Sequence, residues 1–142
     1  MSILAVMDTN VFVSSLLTSK ADAATVLIVA KVLAGEVVPV YSGAILTEYR
    51  EVLARPKFKF CRADTDHLLA AVEMFGVLVE PDDSVVSLPD EKDVPFYAAA
   101  LATRRAGSFL VTGNIRHFPN EPFVVTPRAF IDLLEAVNPW TE

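Results

Sequence analysis

Four polar positions carry groups that could do chemistry, and each stands where an apolar run stops or turns. Asp8 closes the segment "SILAVMD". Glu48 lies in "TEYREVL", Asp93 in "PDEKDVPFY" and Asn114 in "LVTGNIRHF". A carboxylate at the mouth of a buried strand is costly unless a hydrogen bond, a cation or a metal holds it. Three acids and a carboxamide are therefore either ordinary caps and turns or the makings of a cation site.

Each position carries both readings. Asp8 can cap the helix that follows it, accepting from an N–H near Asn10 or Val11. Glu48 falls beside Val52, on the edge of a helical stripe made by Ile45, Tyr49, Val52 and Leu53. No basic residue stands three or four positions from it, whereas Glu51 can pair with Arg55. An unpaired acid bordering a core face wants an external cation; the alternative is a stem that snorkels to water. Asp93 precedes Val94-Pro95, where a helix starts, and Asp90 or Val94 could equally take the cap. Gly113 permits a sharp turn after a strand, so Thr112 and Asn114 can both face the sheet mouth; Asn114 is otherwise a turn residue. His117 reads as a structural loop histidine, and His67 is given no role.

The elements that must position these groups alternate. Strands are expected at Ile3–Met7, Val37–Tyr41, Val77–Glu80, Phe109–Val111 and Val124–Val125. Helices are expected over Asn10–Leu17, Ala23–Ala34, Gly43–Ala54, Asp64–Phe75, Pro95–Arg105 and from Thr126-Pro127 to Ala136, with Ser42 and Thr126 as N-caps. Arg55–Arg62 is irregular, and Pro81–Asp93 is a polar loop. Neither a repeat nor a linker interrupts residues 1–142, so the pattern implies one α/β domain with a central, mostly parallel sheet. In such sheets ligands bind beyond the carboxyl ends of the strands, where Asp8 falls directly.

Composition narrows the class. The chain has 142 residues, 53% of them hydrophobic, and a mean hydropathy of +0.43. That is more apolar surface than one small domain easily hides, and a homodimer or partner interface is expected to take some of it. The net charge is −6, so a nucleic-acid substrate would need a local basic patch or bound cations. Cys61 is the single cysteine, which excludes an internal disulfide and suits a reducing cytosol. The start lacks a signal peptide's basic region, and the longest hydrophobic stretch, Ala23–Ala34, is too short for a bilayer. A cytoplasmic protein without a membrane role is expected.

"MDTNVF", "TEYREVL", "DEKDVPFYAAAL" and "LVTGNIRHF", in this order, resemble PIN domains, and among them the toxin components of VapBC-type toxin–antitoxin systems; the similarity runs from Ile3 to about Ile131. The resemblance implies a three-layer α/β/α fold and a ribonuclease that uses Mg²⁺ or Mn²⁺. Carried over residue by residue, it makes Asp8, Glu48 and Asp93 the catalytic acids and metal ligands, with Asn10 and Thr112 orienting ligands and water. The fourth catalytic position, an acid in the family's "TGD" turn, is Asn114 here. Three negative charges still suffice for one divalent ion; a second ion becomes less favourable, and Asp90 stands near as a candidate replacement.

An RNA substrate needs a track past the acids. "ARPKFKFCR" offers Arg55, Lys57 and Lys59 interleaved with Phe58 and Phe60, and Arg116 and His117, beside the fourth position, offer a second phosphate contact. The plainer expectation for the two Phe side chains is burial under the loop. Two rivals stand beside the nuclease. A phosphotransfer enzyme with Asp8 as nucleophile would want a second acid where Asn10 stands. A PIN-like binding module without useful nuclease activity would work through its apolar surface, with an antitoxin covering the acids.

Overall fold

The computed structural model describes residues 2–137. Five short runs form the strands β1 (Ile3–Met7), β2 (Val37–Tyr41), β3 (Val77–Leu78), β4 (Phe109–Val111) and β5 (Val124–Val125). They build one sheet in the order β3-β2-β1-β4-β5, with every pairing parallel. β1 is central, and Ala5, Val6 and Met7 are wholly buried, which is why this strand reads as a continuous apolar run. Pro39 is tolerated in β2 because β3 pairs only with Val40 and Tyr41, leaving Pro39 an edge position on that side.

Six helices flank the sheet: α1 (Thr9–Leu17), α2 (Ala24–Leu33), α3 (Gly43–Leu53), α4 (Arg62–Phe75), α5 (Val94–Ala102) and α6 (Pro127–Val137). α5 packs across β1, β2 and β4, and α2 packs against α1, α4, α6 and β2. The alanine run in α5 explains its close approach to the sheet: Ala98, Ala99 and Ala100 are buried and leave no bulk between helix and strands. Ser42 caps α3 by accepting from the Ile45 N–H at 3.3 Å, and Thr126 caps α6 by accepting from the Ala129 N–H at 3.2 Å.

Several boundaries differ from the expected ones for local reasons. β3 keeps two of its four expected residues, and both are exposed. α5 stops at Ala102, and Arg104–Ala106 forms a separate 3₁₀ turn closed by Gly107 at φ +78°. α4 starts two residues early, at Arg62. The polar loop 81–93 contains two 3₁₀ turns, Asp83–Val85 and Glu91–Asp93.

The sheet order fixes where a site belongs. The chain leaves β1 towards β2 and β3, then returns to the other side of β1 as β4. Crossovers on the two sides of this reversal leave a crevice between the carboxyl ends of β1 and β4. Asp8 follows the last residue of β1, and Thr112 follows the last residue of β4.

Candidate functional site

Asp8 and Thr112 meet in that crevice. The Asp8 N–H donates to the Val111 carbonyl at 2.9 Å, continuing the β1–β4 pairing one residue past the strands. Thr112, wholly buried, then donates its hydroxyl to Asp8 Oδ2 at 2.7 Å. Asn10 Nδ2 reaches the same oxygen at 3.2 Å, while Asn10 Oδ1 accepts from the Gly113 N–H at 3.1 Å. The Asn114 N–H donates to Thr112 Oγ1 at 2.9 Å. The turn after β4 and the start of α1 thus hold one carboxylate from two directions.

Asp8 occupies the N-cap position of α1 but makes no side-chain cap bond. Its carbonyl, not its carboxylate, accepts from the Val11 N–H, at 3.0 Å. The capping alternative therefore does not use the side chain. The same holds for Asp93, which precedes α5 without a side-chain cap bond. There Pro95 stands in the first turn, where a missing N–H costs nothing, while Asp90 caps the preceding 3₁₀ turn Glu91–Asp93 by accepting from the Lys92 N–H at 2.9 Å.

Glu48 is brought to Asp8 by its neighbour. Tyr49 is fully buried, packed edge-on against Phe12 at 4.9 Å and near Phe96 at 6.2 Å. Its hydroxyl donates to the carbonyl of Met7, the residue before Asp8. This bond ties α3 to the end of β1, so Glu48 comes to the same mouth. Burial pushes the Tyr49 phenol well above its usual pKa of 10.0, with Asp8 and Glu48 adding to the effect, and the group stays a donor. Glu48 is half-buried and accepts a short hydrogen bond from the Thr9 hydroxyl.

Burial raises the pKa of all three acids, and neighbouring carboxylates add to it. Burial is the main cause of the raised pKa of Asp8; the Thr112 hydrogen bond opposes it and the Asp93 charge reinforces it. Burial also raises Glu48, offset by the Thr9 hydrogen bond and reinforced by Asp8 and Asp93. Asp93 is raised by burial and by Asp90, against the pull of His117. Asp93 Oδ2 is buried without an aligned hydrogen-bond partner, although His117 Nδ1 lies 3.3 Å away. A buried carboxylate oxygen without an aligned donor, close to a second buried acid, is a place where a cation would be welcome.

The donor set fits a hard divalent ion that keeps part of its water shell. Among the described residues, no three His, Cys, Asp or Glu groups converge into a ready-made metal cage. Mg²⁺ is commonly held by one or two carboxylates with several waters, so Asp8 and Asp93, with Glu48 beside them, suffice in kind. Asn114 is exposed and begins the turn Ile115–His117 without a side-chain cap bond.

The expected RNA-contacting cations lie elsewhere. Arg55, Lys57 and Lys59 stand on the connection from α3 to α4, beyond the end of the helix that carries Glu48. Arg55 approaches Glu51 at 3.9 Å, and Lys57 stands 5.1 Å over the Phe58 ring. Phe58 and Phe60 are half-buried and stack on each other at 5.1 Å, so they are not simply hidden under the loop. Arg50, Arg55, Lys59 and Arg62 border a cleft of about 570 Å³ there. Arg116 is exposed on the turn that carries Asn114.

Two contributors escaped the reading of the sequence: Thr9 looked like part of a cap, and Tyr49 like a core residue. His117 looked like a structural loop residue or a phosphate contact, and its approach to Asp93 was not foreseen. Only Tyr49 carried a signal: a tyrosine rather than a phenylalanine on a buried stripe needs a partner for its hydroxyl.

No helix among the described residues is long and apolar enough to cross a membrane. No curated protein and no solved structure matches the chain. The sequence profile of the PIN domain, a nuclease-type fold whose members are generally hydrolases using divalent metals, matches residues 5–116. That span runs from within β1 to the turn after β4 and includes Asp8, Glu48, Asp93 and Asn114. The chain belongs to the PIN domain family.

Proposed function

We propose that the chain is a metal-dependent endoribonuclease that hydrolyses RNA phosphodiester bonds, acting as the toxin of a VapBC-type toxin–antitoxin pair. One observation carries the reading. Asp8, buried at the start of a helix, spends its carboxylate on no cap and is gripped by Thr112 and Asn10 beside two further acids. A folded protein keeps such repelling, desolvated carboxylates together for a reason other than stability.

Asp8 and Asp93 would hold the ion, Mg²⁺ or Mn²⁺. Such an ion, when bound, lowers the pKa of a coordinated water and polarises the phosphate. Glu48 takes the role of proton acceptor: the burial that raises its pKa makes it a stronger base than a free carboxylate. Thr112 and Asn10 fix the orientation of Asp8, and Asn114 would offer the nucleophile a neutral hydrogen-bonding group. Arg116 lies on the right turn to meet a phosphate near the site. Arg55, Lys57 and Lys59 would guide the strand further out, across the cleft by the Phe58–Phe60 stack.

The reading extends to a single cytoplasmic domain that forms a homodimer and is held in check by a small antitoxin. Met74, Leu78 and Leu17, exposed by 75%, 59% and 58%, supply apolar surface for such contacts. The test is cleavage of pooled cellular RNA by the purified chain with Mg²⁺, with Mn²⁺ and with chelator, mapping the new ends. Cuts at few positions that vanish with chelator support the reading; RNA left intact under both metals sinks it. A monomer in solution, indifferent to any protein encoded beside it, would remove the dimer and antitoxin from the account.

A second reading, a catalytically impaired binding module, draws on Asn114. The exposed amide supplies no charge where the family resemblance places an acid. If Asn114→Asp converts an inert protein into an active nuclease, this second reading replaces the first.

A further inference from the structure

We propose that His117 is a nitrogen ligand of the divalent ion, shared with Asp93; the proposal rests on the metal-dependent reading above. Among the described residues Asp93 Oδ2 is a buried acceptor without an aligned hydrogen-bond donor, a state few buried polar atoms keep. His117 Nδ1 stands 3.3 Å from it without being aligned to donate. Two adjacent ligands of an octahedral ion, each about 2.1 Å from it, lie about 3 Å apart. The spacing of these two atoms is close to that of neighbouring ligands.

The local chain explains how the imidazole arrives. The turn Ile115–His117 begins at Asn114, the position where the resemblance expects an acid, and its last residue swings back over Asp93. The chain gives up an anionic oxygen at 114 and presents a nitrogen three residues later. The His117 side chain is half-exposed, 52%, so its ring has room to turn onto an ion. Among the described residues no three such groups form a ready-made cage, so water completes the coordination of the ion.

An imidazole changes which ion is favoured. Mg²⁺ takes oxygen ligands, whereas Mn²⁺ and the later transition metals accept nitrogen. The chain should therefore hold Mn²⁺ through His117 and prefer it to Mg²⁺.

The chain has two histidines, and this makes the test clean. His67 lies on α4, in a separate pocket with Leu16 and Leu33. Pulsed electron paramagnetic resonance of the full chain loaded with Mn²⁺ reads directly bound nitrogen, independently of activity. We expect nitrogen coupling in the wild type and in His67→Ala, and none in His117→Ala. Mn²⁺ affinity should fall about tenfold in His117→Ala, with Mg²⁺ affinity changed less than twofold. His117→Gln, which offers an oxygen instead, should narrow the gap between the two metals. Mn²⁺ bound without nitrogen coupling would overturn the proposal and leave His117 as an ion-pair partner of Asp93, with the ribonuclease reading intact. Mn²⁺ not bound at all would overturn both.

Discussion

Thr112 Oγ1 donates to Asp8 Oδ2 at 2.7 Å, joining residues 104 positions apart. This bond closes the crevice between β1 and β4, and the same Thr112 oxygen accepts from the Asn114 N–H. Thr112→Val removes both interactions inside a buried site. Loss of about 1–3 kcal/mol of stability is expected, the usual cost of stranding buried polar groups. Chemical denaturation should show it, with Thr112→Ser recovering most of the loss.

Asp8→Asn should stabilise the metal-free protein while abolishing cleavage. The neutral amide relieves a desolvated charge that Asp93 makes worse, and it can still accept from Thr112. A gain of about 0.5–2 kcal/mol is expected, within the range seen when a functional site is neutralised. A thermal melt of the two proteins in chelator decides it.

The sign of the pH dependence follows from the same crowding. Asp8, Glu48 and Asp93 are all raised, so the folded chain binds these protons more readily than the unfolded one. Their cost is present above the folded pKa values and fades as pH falls through them towards the unfolded values of 3.8 and 4.5. The metal-free stability gap between wild type and Asp8→Asn should shrink from pH 7 to pH 4. A gap that widens on acidification would contradict the electrostatic account.

Tyr49→Phe tests the tie between α3 and β1. The ring packing against Phe12 and Phe96 survives, and only the hydroxyl bonded to the Met7 carbonyl is lost. The stability cost should be about 1 kcal/mol. Because Glu48 is the next residue, cleavage should fall by more than that change in stability explains.

Gly76→Ala tests the fold alone. A Cβ there would strike the Val72 carbonyl oxygen and come within 2.6 Å of Pro39 O. Backbone on both sides cannot yield as a flexible side chain would, so destabilisation of about 1–3 kcal/mol is expected, without a change in metal affinity.

The centre of the sheet was legible because β1 and β4 end in wholly buried residues. Ile3–Met7 and Phe109–Val111 are uninterrupted apolar runs, and their ends mark the site. The acids were legible through what they lacked: Glu48 had no helical ion pair, and Asp93 holds the cap position of α5 without spending its side chain on it. The supporting contacts were not legible. Thr9 to Glu48, Tyr49 to Met7 and His117 to Asp93 join segments far apart in the chain, and no local pattern encodes which hydroxyl or imidazole will meet which acid. β3 was overextended because Val77–Glu80 has strand-like residues, while pairing with β2 extends over only two of them.

The measurement that bears most directly on the central claim sets wild type beside Asp8→Asn in the RNA cleavage assay, with Mn²⁺ and with Mg²⁺. The account predicts metal-dependent cuts by the wild type and none by Asp8→Asn, which stays folded. Equal behaviour of the two proteins under every metal would contradict it.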